Sequence, residues 1–435
     1  MENKQSSSYG WVVVICGTII NLALGAIYAW SIFKANLMCA VGEDKKPLLD
    51  AAGNLMPGKY GFALDKFQTA LPYAVAIGMF ALLMLVAGRL QDKYGPRFVA
   101  TAGGIMLGAG FFVASLAKPG PNAALMLIIG FGVLGGSGIG LAYASAMPPA
   151  VKWFPASKKG LISGIVVGGF GISAAYVYPL TKGLIETGIM GFKGISGAFQ
   201  FLGILFTIMV VVAAQLMKNP PAGYVPGGAP AAPKPGATPA PASKTDYTSK
   251  EMLATSSFII TWIMYLFAAG AGLMVISFIG ALAKQYNLAQ MIIWCMTVLA
   301  IGNCAGRVIC GVVSDKLGRT LTMFIVFAIQ AGILVAFPRV LVGSDALFAF
   351  GSFMIGFGFG SCLSLFPSLT SDYFGIKNLG MNYGIVFTAY GVGGVLMTLM
   401  GGKLSYDLAF NVAAVLCLIA ALLTFVVKAP VAKKA

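Results

Sequence analysis

Long hydrophobic runs make up most of the chain, and short polar segments separate them. Each run is about twenty residues long, the length of helix that crosses the hydrocarbon core of a bilayer. The first run is too long for the core of a signal peptide, so we expect it to remain as a helix. The pattern predicts an all-α membrane protein with twelve transmembrane helices. The runs lie near residues 11–33, 67–88, 98–117, 123–149, 161–182, 198–217, 257–283, 289–313, 320–338, 347–370, 382–402 and 408–427.

A segment rich in proline, alanine and glycine divides the runs into two sets of six. It extends from residue 218 to residue 250 and cannot bury a core, which predicts a disordered or polyproline-like linker. We therefore divide the chain into an N-terminal six-helix bundle (1–217), a linker (218–250) and a C-terminal six-helix bundle (251–435).

Lysine and arginine are more frequent in the segments that share a side with the termini and the linker than in those on the other side. Basic residues are retained in cytoplasmic loops, so this bias predicts that both termini are cytoplasmic. The expected location is the plasma membrane, or the inner membrane of a bacterium. The polar insertion 34–66 then lies on the extracytoplasmic side.

Composition excludes several classes of protein. Hydrophobic residues make up 58% of the 435 residues and charged residues 10%, whereas a soluble domain is about 25% charged. The net charge of +16 is explained by basic loops, so we expect no nucleic-acid partner. The sequence has no histidine and no GxxxxGK[ST] phosphate loop, and so lacks the usual catalytic base and the nucleotide site of an ATP-driven pump. We predict a protein that is not an enzyme and that uses no cofactor or metal.

The two sets of runs repeat each other. A displacement of 220 residues superposes the GxGxG pattern of residues 136–140 on that of residues 356–360. A displacement of 223 superposes GRLQDKYGPR (88–97) on GVVSDKLGR (311–319). Such repeats are typical of transporters built from two related halves.

With twelve helices, two related halves and a G-x-x-x-D-[KR]-x-G loop after the second and again after the eighth helix, the chain resembles the major facilitator superfamily. The resemblance implies two pseudo-symmetric six-helix bundles, in which acids and basic residues of these loops latch helix ends on the cytoplasmic side. Helix capping and retention of basic residues explain the same loops without a gate. The matching residues are Gly88, Asp92, Gly95, Arg97, Asp315, Gly318 and Arg319.

Several segments are similar to the branch of that superfamily that contains oxalate:formate exchangers and monocarboxylate transporters. They are GAIYAWSIF (25–33), GLAYASAMPPAVKWFP (140–155), NCAGRVICGVVSDKLGR (303–319), SLFPSLTSDYFG (364–375) and NYGIVFTAYGVGG (382–394). In that branch an arginine of helix 8 binds the substrate carboxylate, and it corresponds to Arg307. The chain departs from the oxalate exchangers at Tyr390, where they carry a lysine. It departs from animal monocarboxylate transporters at Asn303, where they carry an acid.

Among the charged residues, Arg307 alone sits well inside a hydrophobic run. A charge at that depth costs at least about 2.5 to 3.5 kcal/mol and so marks a function; the alternative is that Arg307 snorkels to the interface. Since the runs supply no acid, we predict that a substrate carboxylate pairs with it. Asn303, one turn earlier on the same face, would orient the guanidinium or bind substrate; its alternative role is an interhelical hydrogen bond.

The resemblance implies further residues that line the site, although aromatic packing between helices explains each of them equally well. One fixed positive charge favours a substrate with one negative charge. We predict a monomeric secondary transporter of small monocarboxylates such as lactate and pyruvate, surrounded by membrane lipid, which works by alternating access and carries a proton with its substrate. The alternatives are anion exchange of the oxalate:formate type and a membrane receptor that does not transport. The implied lining residues are Tyr28, Tyr143, Phe359, Leu363, Phe387 and Tyr390.

Overall fold

The computed structural model describes residues 2–42, 47–155, 159–221, 224, 246–375 and 378–430. In these residues twelve helices are long and apolar enough to cross a membrane, and the predicted all-α membrane fold is confirmed. Most of the predicted linker lies outside the described residues, and the domain boundaries stay a prediction. The helices are α1 (Tyr9–Leu37), α2 (Leu71–Gln91), α3 (Lys93–Ser115), α4 (Ala123–Lys152), α5 (Gly164–Glu186), α6 (Gly194–Gln215), α7 (Ser256–Gln285), α8 (Ile292–Leu317), α9 (Arg319–Val340), α10 (Asp345–Phe374), α11 (Met381–Lys403) and α12 (Tyr406–Leu423).

Helix α1 changes its winding halfway across the bundle. It tightens to a 3-10 helix over Gly25–Ala29, and the α-helix resumes at Trp30. Gly25 lets this segment approach α5 closely, because a Cβ there would clash with the carbonyl oxygen of Phe170. A 3-10 stretch inside a longer helix often marks a functional hinge, and this one carries Tyr28.

The sequence repeat is also a repeat of helix contacts. Gly136 of α4 lies against the backbone of Ala76 in α2, and Gly356 of α10 lies against the backbone of Leu299 in α8. The two glycines are 220 residues apart and their partners are 223 apart, so each displacement relates equivalent positions. The same relation holds for Gly140 with Phe80 and Gly360 with Asn303. Gly138 with Leu107 and Gly358 with Gln330 are also equivalent positions, although Gly358 meets the side chain of Gln330 rather than its backbone. Small residues at these crossings let the helix backbones touch, as in other membrane bundles.

The two repeated loops turn in the same way. Gly95, in the first turn of α3, has φ +81°, and Gly318, between α8 and α9, has φ +87°. This left-handed region is accessible to glycine at little cost. In contrast, a Cβ at Gly88 would meet no atom within 4 Å, so packing does not require a glycine there.

Arg319 joins three helix ends at the second of these loops. Its Nη1 lies 2.6 Å from Oδ1 of Asp315 at the end of α8, and its Nε lies 3.0 Å from Oδ2 of Asp372 near the end of α10. In the first loop Arg97 is exposed, and the side chain of Asp92 lies outside the described residues.

Within the described residues, the N-terminal and C-terminal helices pack most extensively where α1 meets α7, α2 meets α11 and α5 meets α8. Large aromatic side chains from both sets of helices are fully buried there, among them Tyr28, Phe80 and Tyr390. The 3-10 segment of α1 and the middle of α8 both face this interface.

Candidate functional site

A small cavity, too narrow in this conformation to hold a water molecule, lies at the interface between the two bundles. Its walls are mainly aromatic and include a single charged side chain. Five of the residues that the resemblance implies, together with Arg307, are among those that line it. The lining residues are Tyr28, Phe80, Tyr143, Phe170, Arg307, Leu363, Phe387 and Tyr390.

The guanidinium of Arg307 is held in place by two protein acceptors. Its Nε donates to Oδ1 of Asn303 at 3.1 Å, and its Nη1 donates to the backbone carbonyl of Val167 in α5 at 2.9 Å. The residue is only 5% exposed. Arg307 therefore points into the bundle interface and does not snorkel to the membrane surface.

One hydrogen-bond donor of Arg307 and one of Asn303 are not used within the described residues. Nη2 of Arg307 and Nδ2 of Asn303 are buried without a hydrogen-bond partner in the described part of the chain. No ion pair found among the described residues includes Arg307. A buried donor without an acceptor costs about 1 to 3 kcal/mol, and more when it is charged. The geometry is thus suited to a ligand that supplies oxygen acceptors.

Tyrosine hydroxyls from the two bundles meet beside this cavity. The hydroxyls of Tyr28 in α1 and Tyr390 in α11 lie 3.3 Å apart. Tyr390 stacks on Phe387 with a ring separation of 4.6 Å. Phe359, which the resemblance also implies, does not line the cavity; its ring packs behind Tyr28 at 5.5 Å and behind Tyr390 at 6.1 Å.

Two lining residues, Phe80 of α2 and Phe170 of α5, are absent from the set that the sequence predicts. The ring of Phe80 contacts Tyr143 at 5.2 Å and Tyr390 at 5.8 Å. The repeat contains the signal that could have identified both, because Phe80 precedes Asn303 by 223 residues and Phe170 precedes Tyr390 by 220. The N-terminal counterparts of Asn303 and Tyr390 are therefore aromatic.

Arg307 is not the only charged residue that the bundle buries. Helix α1 continues past the hydrophobic run to Leu37, and Lys34 within it has no exposed surface. Its Nζ has no hydrogen-bond partner among the residues described and lies 2.9 Å from the centre of the Phe278 ring in α7. The hydrophobic run ends at Phe33, so the sequence alone predicts that Lys34 lies at the membrane interface.

Comparison with known proteins agrees with this architecture. The sequence profile of the Major Facilitator Superfamily matches residues 10–396 and, separately, 261–435. The uncharacterized MFS-type transporter YhjX of Escherichia coli (strain K12) is 30% identical over 391 residues, which cover 88% of this chain and 86% of that protein. The oxalate:formate antiporter of Oxalobacter formigenes is 29% identical over 411 residues, which cover 93% and 92% respectively.

Among solved structures, a D-xylose-proton symporter superposes with a TM-score of 0.68 at 13% identity, covering 96% of this chain and 97% of the symporter. At that identity the likeness supports the fold alone. The family resemblance seen in the sequence, including its oxalate:formate branch, is confirmed by the profile and the relatives. Since the profile spans most of its length, the chain belongs to the Major Facilitator Superfamily.

Proposed function

We propose that this membrane transporter carries small monocarboxylates by alternating access and binds their carboxylate through Arg307. One observation supports the proposal above all: Nη2 of Arg307 is buried without a hydrogen-bond partner among the described residues, in a residue that lines the cavity between the two bundles. Arginine suits this task because its planar fork can engage carboxylate oxygens and keeps its charge at any physiological pH.

The charge of the cavity supports a monoanion. Arg307 is the single charged residue among those that line it, and the groups opposite are aromatic or carry hydroxyls. A second carboxylate would lose its hydration beside Phe80 and Phe170 without gaining a cation, which is unfavourable. The hydroxyls of Tyr28 and Tyr143 are suited to a substrate oxygen near the carboxylate, as in lactate or pyruvate.

Two coupling modes remain as proposals. We favour symport with a proton, which makes the translocated pair electrically neutral. The alternative is exchange of one anion for another, and the 29% identity to an oxalate:formate antiporter supports it. The monomeric state and the cytoplasmic position of both termini stay predictions.

A substrate panel in proteoliposomes tests the proposal. Uptake of labelled lactate, pyruvate, formate and oxalate is measured with and without an imposed proton gradient, and with or without unlabelled anion inside. Symport predicts lactate uptake that a proton gradient drives into empty vesicles. Exchange predicts uptake only when an anion is present inside. Failure of every carboxylate to enter under both conditions would refute the proposal.

A further inference from the structure

Two lysines of the N-terminal bundle contact the C-terminal bundle on the predicted extracytoplasmic side. Nζ of Lys34, near the end of α1, lies 2.9 Å from the centre of the Phe278 ring in α7. Nζ of Lys66, just before α2, donates to the carbonyl oxygen of Leu404 at 2.5 Å and lies 3.8 Å from the centre of the Tyr406 ring. Both lysines therefore hold the two bundles together on this side.

The amino groups of both lysines lie near the same aromatic ring, and neither forms an ion pair within the described residues. Lys66 also lies 5.4 Å from the centre of the Phe278 ring, so this ring is shared by both lysines. Lys34 is fully buried, and its Nζ has no hydrogen-bond partner among the described residues. The ion pairs found in the described ranges all involve Arg319. A buried lysine that lies beside a second lysine and has no counter-ion is costly and indicates a function.

The contacts that satisfy these lysines come from the opposite bundle. Alternating access separates the bundles on one side of the membrane at a time. When they separate here, Phe278 and the Leu404 carbonyl move away with the C-terminal bundle. Lys34 and Lys66 remain together on the N-terminal bundle and become accessible to water and to anions.

We propose that Lys34 and Lys66 form an anion-binding site at the extracytoplasmic mouth, which binds the carboxylate of a short monoanion before it reaches Arg307. Phe278 occupies this site when the side is closed. The inference rests on the carboxylate transport proposed above. Two ammonium groups offer several charge-assisted hydrogen bonds to one carboxylate.

The position of the site fits a path along α1. Lys34 lies six residues beyond Tyr28, which corresponds to roughly 9 Å along a helix. Tyr28 lines the cavity that contains Arg307. An anion that leaves the lysine pair therefore meets the tyrosine hydroxyl next and the guanidinium after it.

A role in closure alone predicts the opposite result from a role in anion binding. If Lys34 only stabilised the closed side through Phe278, its removal would increase the outward-open population and lower the extracytoplasmic KM. If Lys34 also binds the anion, its removal raises that KM. The sign of the change therefore separates the two roles.

The test measures initial rates of lactate uptake from the extracytoplasmic side of oriented proteoliposomes. Lys34→Gln and Lys66→Gln should each raise KM about tenfold, the effect of losing one charge-assisted contact of ordinary strength. Both variants should also weaken the dependence of KM on ionic strength. Phe278→Leu, which removes the competing ring and keeps both charges, should lower KM.

Lys403→Gln is the matched control, because Lys403 is an exposed lysine of α11 that lies over the Phe67 ring at 5.1 Å on the same side. Its KM should stay within about twofold of the wild type, as is usual for an exposed charge. Lys66 is only partly buried, so its variant remains informative if Lys34→Gln does not fold. If the wild type transports lactate normally and the folded lysine variants have an unchanged or lowered KM, the lysine site is overturned while the proposed function stands. A wild type that transports no carboxylate overturns the proposed function.

Discussion

Replacing Arg307 by lysine tests whether the site needs the guanidinium or only a positive charge. Arg307 uses Nε to bind Asn303 and Nη1 to bind the Val167 carbonyl, which leaves Nη2 for a ligand. A lysine has one nitrogen on a flexible chain. It cannot keep both anchors and also present a donor at the same place in the cavity.

The expected loss follows from the contacts. One hydrogen bond to a charged group contributes about 1.5 to 3 kcal/mol, and each 1.4 kcal/mol is about tenfold in affinity. Arg307→Lys should therefore weaken lactate binding about ten- to a hundredfold. Arg307→Ala leaves the substrate carboxylate buried without a cation, which costs about 3 to 5 kcal/mol, and should abolish transport.

The assay combines lactate uptake into proteoliposomes with the lactate-dependent rise in unfolding temperature of the purified protein, which reports binding directly. Arg339→Lys is a matched control. Arg339, at the end of α9, also binds one backbone carbonyl, that of Val335 at 2.6 Å, and one asparagine, Asn411 at 2.9 Å. It should leave binding unchanged. Wild-type uptake and binding of both lactate and formate in the Arg307 variants would refute the site assignment.

Three further predictions use other parts of the structure. Tyr390→Lys places a second cation beside the cavity and should shift preference toward oxalate in competition assays; unchanged exclusion of oxalate contradicts the charge argument. Gly356→Ala should lower the free energy of unfolding by about 1 to 3 kcal/mol, because its Cβ would clash with the Leu299 carbonyl. Gly332→Ala, with open space around it in α9, should not lower the unfolding temperature. Burial lowers the pKa of Lys66 from 10.5 to about 8. Between pH 8 and pH 10.5 the unfolded chain holds a proton on Lys66 that the folded protein has lost, so the stability of the fold rises with pH. Lys66→Gln should flatten this rise in a plot of unfolding temperature against pH. The same plot for the variant and the wild type would contradict the prediction.

The sequence was sufficient for the features that depend on local pattern. Hydrophobic length determines which segments can cross a membrane, so the twelve helices follow from it directly. Gly95 and Gly318 occupy equivalent turns because the loop motif occurs twice. The position of Arg307 at a buried interface follows from the cost of leaving a charge in lipid.

Features that depend on contacts between distant segments could not be predicted from the local sequence. Phe80 and Phe170 are apolar residues in apolar runs, and their local sequence does not distinguish a cavity wall from ordinary packing. Lys34 follows the end of a hydrophobic run, and its burial results from α7, which packs against the end of α1. The contact between Tyr28 and Tyr390 joins residues 362 positions apart.

The geometry of the site suggests how binding and closure are coupled. Closing the cavity without a ligand buries Nη2 of Arg307 and Nδ2 of Asn303 without acceptors, at about 1 to 3 kcal/mol for each donor. A bound carboxylate supplies oxygen acceptors and a compensating charge, and thereby lowers the free energy of the closed state relative to the open ones. A ligand shifts a conformational equilibrium only by its difference in affinity between the two states. In the proposed function, Arg307 makes that difference large for a carboxylate, so the residue proposed to select the substrate would also make passage through the closed state depend on it.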